Sequence, residues 1–279
     1  MHRLVFSFIA LLIASSAFAG GPALPYRFTI QGDTQDWARI TGQPALWLET
    51  NRAICAQPPS LLIGTGDIVN NTTDTAQWQA ARNAFDVLRA CNLPFATPAG
   101  NHDYDFPPGT PNWSFYDAFL AAYPPPSVTR SATGRSWLQA FAPGVVLAVL
   151  PYGADAAEVT WLESAIAART QSVVLVQHEA IEPSAWVFSS QVQHLRGVFG
   201  ARIVGVIGGH YLQDDRVRFE ALPTGGFALY SNWQWSPTAG TFTGWVTQLE
   251  YRSTTGQWCI STQNMRTGAR DLMETPKCV

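Results

Sequence analysis

Lysine is almost missing from this chain. Lys277 is the only one, so nearly all of the 17 Lys and Arg residues are arginine. Charged residues make up 13% of the 279, and the formal net charge is −3. Charge this sparse and dispersed leaves no basic patch to follow a nucleic-acid backbone and no acidic run to form a solvated tail. Long apolar runs are also missing after the N-terminus, so residues 20–279 hold no candidate membrane span. Cysteine is limited to four, with no C-x-x-C spacing, which argues against a thiolate zinc site. Histidine is scarce as well, with five in all, and so where those five fall carries information.

The N-terminus has its own pattern. His2 and Arg3 precede an apolar stretch, Leu4 to Ile13, that is too short to span a bilayer. Ala17-Phe18-Ala19 follows with a small-x-small spacing. The expectation is a secretory signal peptide over 1–19 and a secreted or periplasmic protein of one domain over 20–279. Export permits disulfides. Cys55, Cys91, Cys259 and Cys278 allow three pairings. Cys55–Cys91 with Cys259–Cys278 is favoured because each bond closes a local loop.

Five apolar runs each end in a polar cluster: YRFTIQGDTQ, PSLLIGTGDIVNN, LPFATPAGNHD, SVVLVQHEA and RIVGVIGGHY. Unbroken runs of this length, rich in Val and Ile, suit strands buried on both faces. A sixth, GVVLAVLPYG, ends without Asp, Glu, His, Lys or Arg. Helical patterns lie between them. DTAQWQAARNAFDVLRA puts Trp78, Ala81, Phe85 and Leu88 on one face, with Asp74 and Gln77 spaced as a capping box. ADAAEVTWLESAIAART, SFYDAFLAAY and SSQVQHLRGVFG are further helix candidates. The alternation implies an α/β fold with a mainly parallel sheet and helices on both faces. After Asp215 the texture turns to short strands, with a hairpin around STTG. These strands are expected to complete a second sheet packed on the first.

In open α/β sheets, ligands bind outside the carboxyl ends of the strands. There the five clusters bring Asp33 with Gln35, Asp67, Asn101 with His102, His178 and His210. Carboxylate, amide and imidazole donors that converge on one rim suit a transition metal. Taken singly, each has an ordinary explanation: Gly-Asp is common in turns, and a lone histidine at a strand end is more often a hydrogen-bonded core residue. The order of all five along the chain is what argues against coincidence. His194 falls on a helix pattern and reads as structural or exposed.

That order resembles the calcineurin-like metallophosphoesterases, whose motifs run D-x-H, GD, GNH[DE], H and GHxH. Here they are matched by Asp33-Thr34-Gln35, Gly66-Asp67, Gly100-Asn101-His102-Asp103, His178 and Gly209-His210. The resemblance runs from about Arg27 to His210. It implies a four-layer αββα sandwich, with two packed mixed β-sheets flanked by helices. It implies an exported metal-dependent phosphoric ester hydrolase that acts on phosphomonoesters or phosphodiesters through metal-bound hydroxide. The cofactor would be Mn, Fe or Zn, and the partner a small-molecule phosphate ester. Asp67 would bridge two metals, with Asn101, His178 and His210 completing one shell and Asp33 serving the other. His102 would act on the leaving oxygen, and Asp103 would orient it.

Two positions depart from the motifs. Gln35 stands where the first ends in His, and Leu212 stands where the last does. An amide oxygen ligates weakly and an isobutyl group not at all. One tight metal and one weak or substrate-dependent metal are therefore expected, with Gln213, Asp214 or Asp215 as possible substitutes. Purple acid phosphatases place a tyrosine three residues after the bridging aspartate; Asn70 occupies that place here. A non-hydrolytic binder that keeps the fold and one metal is the alternative function. A serine hydrolase is a weaker one, since Thr34 stands where a G-D-S block needs Ser and no G-x-S-x-G elbow exists. Trp37 and Trp113, beside the first and third motifs, are candidates to face substrate.

Overall fold

A computed structural model describes residues 25–109, 111–125, 128–212, 216–234, 243–270 and 277–279. The expected leader over 1–19 lies outside these residues, as do Gln213, Asp214 and Asp215.

In chain order the elements are β1 (Tyr26–Gln31), α1 (Gln35–Arg39), α2 (Gln43–Ala56), β2 (Leu61–Gly64), α3 (Thr75–Ala90), β3 (Phe95–Ala96) and α4 (Ser114–Ala122). There follow β4 (Thr129–Arg130), β5 (Trp137–Ala142), β6 (Val145–Leu150), α5 (Ala156–Ala167), β7 (Ser172–Gln177), β8 (Ile181–Glu182), β9 (Val187–Phe188) and α6 (Ser190–Phe199). The last are β10 (Ile203–Gly208), β11 (Val217–Ala221), β12 (Phe227–Ser231), β13 (Trp245–Arg252), β14 (Gln257–Asn264) and β15 (Lys277–Cys278).

All six apolar runs form strands, but they do not share one sheet. The first sheet has the order β15-β14-β13-β1-β2-β3, and the second β11-β12-β10-β7-β6-β5-β4. Parallel pairing joins β1, β2 and β3 in one, and β6, β7, β10 and β12 in the other. Both sheets are mixed, because antiparallel strands flank each parallel set. The expectation that the apolar runs share one mainly parallel sheet with helices on both faces is therefore corrected: they divide between two sheets. The late strands also divide between them: β11 and β12 join the second, β13 to β15 the first. A strand that is apolar on both faces fits either sheet equally well, so its residues do not say which one it joins.

Alternation along the strands shows how the layers stack. Val145, Leu147 and Val149 of β6, with Val174 and Val176 of β7, enter a core with Phe28, Phe141 and Trp258 between the sheets. Val146, Ala148 and Leu150, with Val173 and Leu175, face Leu162 and Ile166 of α5 and Val192 and Leu195 of α6. On the other side, α1 to α3 cover the first sheet, where Trp47 of α2 donates to the Gln31 side chain. The result is helix, sheet, sheet, helix: the αββα sandwich.

Asp74 caps α3 as its spacing predicts, but the reciprocal half of the capping box does not form, since the Asp74 N–H bonds the Asn71 carbonyl. Asp74 accepts from the Ala76 and Gln77 N–H groups, and the Gln77 amide donates back to Asp74. The STTG hairpin joins β13 and β14. Both favoured disulfides are present, Cys55–Cys91 and Cys259–Cys278. No helix among the described residues is long and apolar enough to cross a membrane.

Candidate metal centre

The strand ends meet where the two sheets adjoin. Asp33, Asp67 and Asn101 leave the first sheet after β1, β2 and β3; His178 and His210 leave the second after β7 and β10. Asp33, Asp67 and His210 have positive φ, at 43°, 50° and 74°. Non-glycine residues seldom adopt this backbone, and it gathers at functional sites. The loops also press together closely. A Cβ on Gly100 would lie 2.1 Å from Asp67 Oδ1, and one on Gly209 would lie 2.7 Å from Asp33 Oδ2. Glycine is therefore needed beside Asn101 and His210 for the loops to close.

His178 is the hub. Its Nδ1 lies 2.8 Å from the Thr65 carbonyl oxygen, which takes the Nδ1 proton and leaves the Nε2 lone pair free. Around Nε2 stand His210 Nδ1 at 3.0 Å, Asn101 Oδ1 at 3.2 Å and Asp67 Oδ1 at 3.3 Å. Four electron-rich atoms this close repel one another unless something positive lies among them. Ligand atoms around one ion, each at ~2.1 Å from it, stand about 3 Å apart. Ligand atoms of Asp67, His178 and His210 all fall within 4.8 Å of one another, and the three residues form a metal-ligand cluster. The mixed N/O donor set fits a divalent transition metal.

Proton placement tells the same story. Burial works against charge on His178, yet the Asp67 and Asp33 carboxylates outweigh it and raise its pKa well above the imidazole norm. Burial also works against ionised Asp67, but His178 and then His102 hold its pKa below the carboxylate norm. His210 is kept neutral by burial and by the His178 charge, at about 4. The two carboxylates thus favour positive charge at the central imidazole, the place where a cation's charge would serve.

Asp33 is fully buried and accepts from the His210 N–H at 2.8 Å, with His178 Nδ1 at 3.3 Å. Burial lifts its pKa to about 6. Gln35 opens α1, where its Nε2 donates to Gln234. Its Oε1 is buried with no hydrogen-bond partner. Leu212 is 44% exposed and offers no ligand.

His102 Nδ1 lies 2.8 Å from the Asn70 carbonyl oxygen, and its Nε2 is 4.0 Å from Asp67 Oδ2. Its ring stacks on Phe106. The expectation that Asp103 orients this ring is corrected. Asp103 instead accepts from the backbone N–H groups of Ile68, Val69 and Gly100, and so pins the Asp67 loop to the Asn101 loop. Burial, with the Asp67 charge nearby, raises its pKa to about 8. Asn70 orients His102 through its main chain.

Trp37 is corrected too. It is fully buried, and its indole N–H donates to the Trp233 carbonyl, so it is core rather than substrate-facing. Trp113 stacks on Tyr104 at 3.8 Å, with the Arg135 guanidinium 4.1 Å from its ring centre. Tyr152 escaped the sequence reading. It ends the β6 run, and its ring centre is 5.6 Å from that of His210 and 6.0 Å from that of His178. Its position after a sixth parallel strand was the available signal.

No protein-family profile matches the chain. Over 82 residues, 28% of its length, it is 32% identical to an uncharacterized Bacillus subtilis protein, YvnB, of which it spans only 6%. Solved structures are similar over far more of the chain. A dimetal phosphatase from Danio rerio superposes with a TM-score of 0.60 at 11% identity, covering 90% of this chain and 99% of that one. A purple acid phosphatase from yellow lupin seeds gives 0.59 at 12%, covering 89% and 53%. The anchor of the Plasmodium inner membrane complex gives 0.59 at 14%, covering 91% and 89%. Identities this low speak to architecture alone: the chain shares the fold of these solved structures.

Proposed function

We propose that the protein is an exported, metal-dependent phosphoesterase that hydrolyses small phosphomonoesters or phosphodiesters. The observation that carries this reading is the convergence of His210 Nδ1, Asn101 Oδ1 and Asp67 Oδ1 within 3.0–3.3 Å of His178 Nε2. A bound divalent cation (Mn, Fe(II) or Zn) supplies Lewis acidity toward a phosphoryl oxygen and lowers the pKa of a coordinated water to ~7. The protein's own groups set the geometry. Thr65 fixes the His178 tautomer so that Nε2 faces the site. Asn70 does the same for His102, whose Nε2 is the atom that carries a proton to the departing oxygen. Asp33 and Gln35 Oε1 form a second, weaker cation position, since Leu212 adds no imidazole there. Two disulfides and the N-terminal pattern support export.

The test is an aryl-phosphate assay on protein purified without chelator, alongside its metal content. Activity removed by chelator and restored by Mn²⁺ is expected. Retention of two ions through dialysis would contradict the weak second position. A second reading, a non-hydrolytic binder with one metal, is favoured by the exposed Leu212 and by the architecture shared with the Plasmodium anchor. Metal retained with no turnover of any mono- or diester would select it.

A further inference from the structure

His178 and His102 are each oriented by a backbone carbonyl at Nδ1. His210 is held differently. Its Nδ1 faces His178 Nε2 at 3.0 Å, and its Nε2 has no hydrogen-bond partner among the described residues. A histidine that ligates a metal is normally aimed by a bond from its other ring nitrogen, and no described residue does this for His210. Its backbone is also in an uncommon shape. With φ at 74° and the Tyr211 N–H bonded to the Gly209 carbonyl at 3.0 Å, His210 is the central residue of a γ-turn of the strained, positive-φ kind.

Tyr211 meets both needs. Its ring packs against the His210 imidazole at 77°, with centres 4.7 Å apart. Its hydroxyl donates to Glu179 Oε1 at 2.8 Å. Glu179 follows His178 as Tyr211 follows His210, so this bond ties the two histidine loops together one residue beyond the ligands. The Tyr211 carbonyl accepts from the Tyr230 hydroxyl and, at 2.9 Å, from Asn232 Nδ2, and both of these side chains are fully buried. Tyr211 itself packs into neither apolar core. Its contacts serve the turn at His210 and not the interior of the sandwich.

We propose that Tyr211 is a positioning residue: anchored by Glu179, it holds His210 so that Nδ1 points at the ion. The proposal rests on the metal-centre reading above and adds a clamp that acts on ion affinity through His210.

Calorimetric titration of chelator-treated protein with Mn²⁺ tests it. Tyr211→Phe keeps the ring and loses the Glu179 bond, whereas Tyr211→Ala loses both. The dissociation constant should rise about tenfold in the first and about 100-fold in the second, the range for groups that orient a metal ligand. Glu179→Ala should match Tyr211→Phe, and the double variant should bind no more weakly than either, because both break one bond. Glu179→Gln keeps an acceptor for the hydroxyl and should restore affinity to near that of the wild type. The melting temperature of ion-free Tyr211→Phe should match wild type; a role in stability alone would lower it and leave the dissociation constant unmoved. A dissociation constant within about twofold of wild type in Tyr211→Phe and Glu179→Ala would overturn the clamp, even if Tyr211→Ala fails to fold. If the wild type binds no ion, the metal-centre reading fails separately. Imidazole proton resonances of the ion-free protein then decide the clamp: a His210 signal that shifts or broadens in Tyr211→Phe supports it, and an unchanged signal overturns it.

Discussion

Each imidazole in the centre is defined by where its proton sits. His178 and His102 both give Nδ1–H to a backbone carbonyl, but one Nε2 faces three ligand atoms and the other lies 4.0 Å from Asp67 Oδ2. Their replacements should therefore part company. His178→Ala should lose the metal and all activity together. His102→Gln should keep the metal, measured by elemental analysis, and lose ~100-fold or more in kcat, the usual scale of general acid–base help. Metal lost from both variants would mean that His102 is a ligand and that its role here is misassigned. The ligand candidates were legible because ion binding restricts residue type: only a few side chains can sit at those strand ends and hold a cation. Asp103 was misread for a related reason. Its partners are backbone N–H groups, which every residue except proline carries, so no residue type marks them. Tyr152 was missed because a ring beside a site needs no fixed spacing from any motif.

At the scale of elements, the start of α3 reaches further than its cap. Gln77 Oε1 accepts from the Asn70 and Asn71 N–H groups, and the Asn70 carbonyl in turn holds His102. The helix thus positions an imidazole it never touches. Gln77→Ala should free Asn70, let the His102 ring turn and lower kcat about tenfold, with metal content and KM close to wild type; misplaced groups carry costs of this order. A kcat unchanged within twofold would show that Asn70 is held without Gln77. The α3 cap was readable because its donors and acceptors lie within three residues. Helix α2 was not. Its buried face mixes Trp47 and Ile54 with Thr50 and Asn51, and Asn51 bonds Gln31 and the Ala84 carbonyl. A face half polar and satisfied only by distant partners has no apolar stripe to read. Which sheet each strand joins was hidden in the same way, because pairing depends on neighbours far along the chain.

For the whole molecule, the centre is a seam. Asp67 and Asn101 belong to the first sheet, His178 and His210 to the second, and main-chain bonds already cross between them: Tyr152 N–H to Ala99 and Trp233 N–H to Gly32. A cation bound at the seam ties sheet to sheet, so its binding energy adds directly to the stability of the fold. Protons compete for the same atoms. Asp33 has a pKa of about 6 in the ion-free fold, above its unfolded value of 3.8, and so keeps a proton through that window which the unfolded chain has lost. That raised value makes the ion-free fold lose stability as pH climbs toward 6, while the cation, which needs the ionised carboxylate, gains affinity over the same range. The raised pKa of His178 acts in the same direction, since its extra proton must leave as well; His210, at about 4, is already neutral. Metal should therefore raise the melting temperature little at pH 5 and much more at pH 7.5. With ion at 100 times its dissociation constant the gain is about 2.7 kcal/mol, which for a domain of this size is roughly 5–10 °C. Scanning calorimetry of chelator-treated and Mn²⁺-supplemented protein at the two pH values measures it directly. An equal rise at both would mean that the ion binds away from Asp33 and His178, and that the seam is not the metal centre.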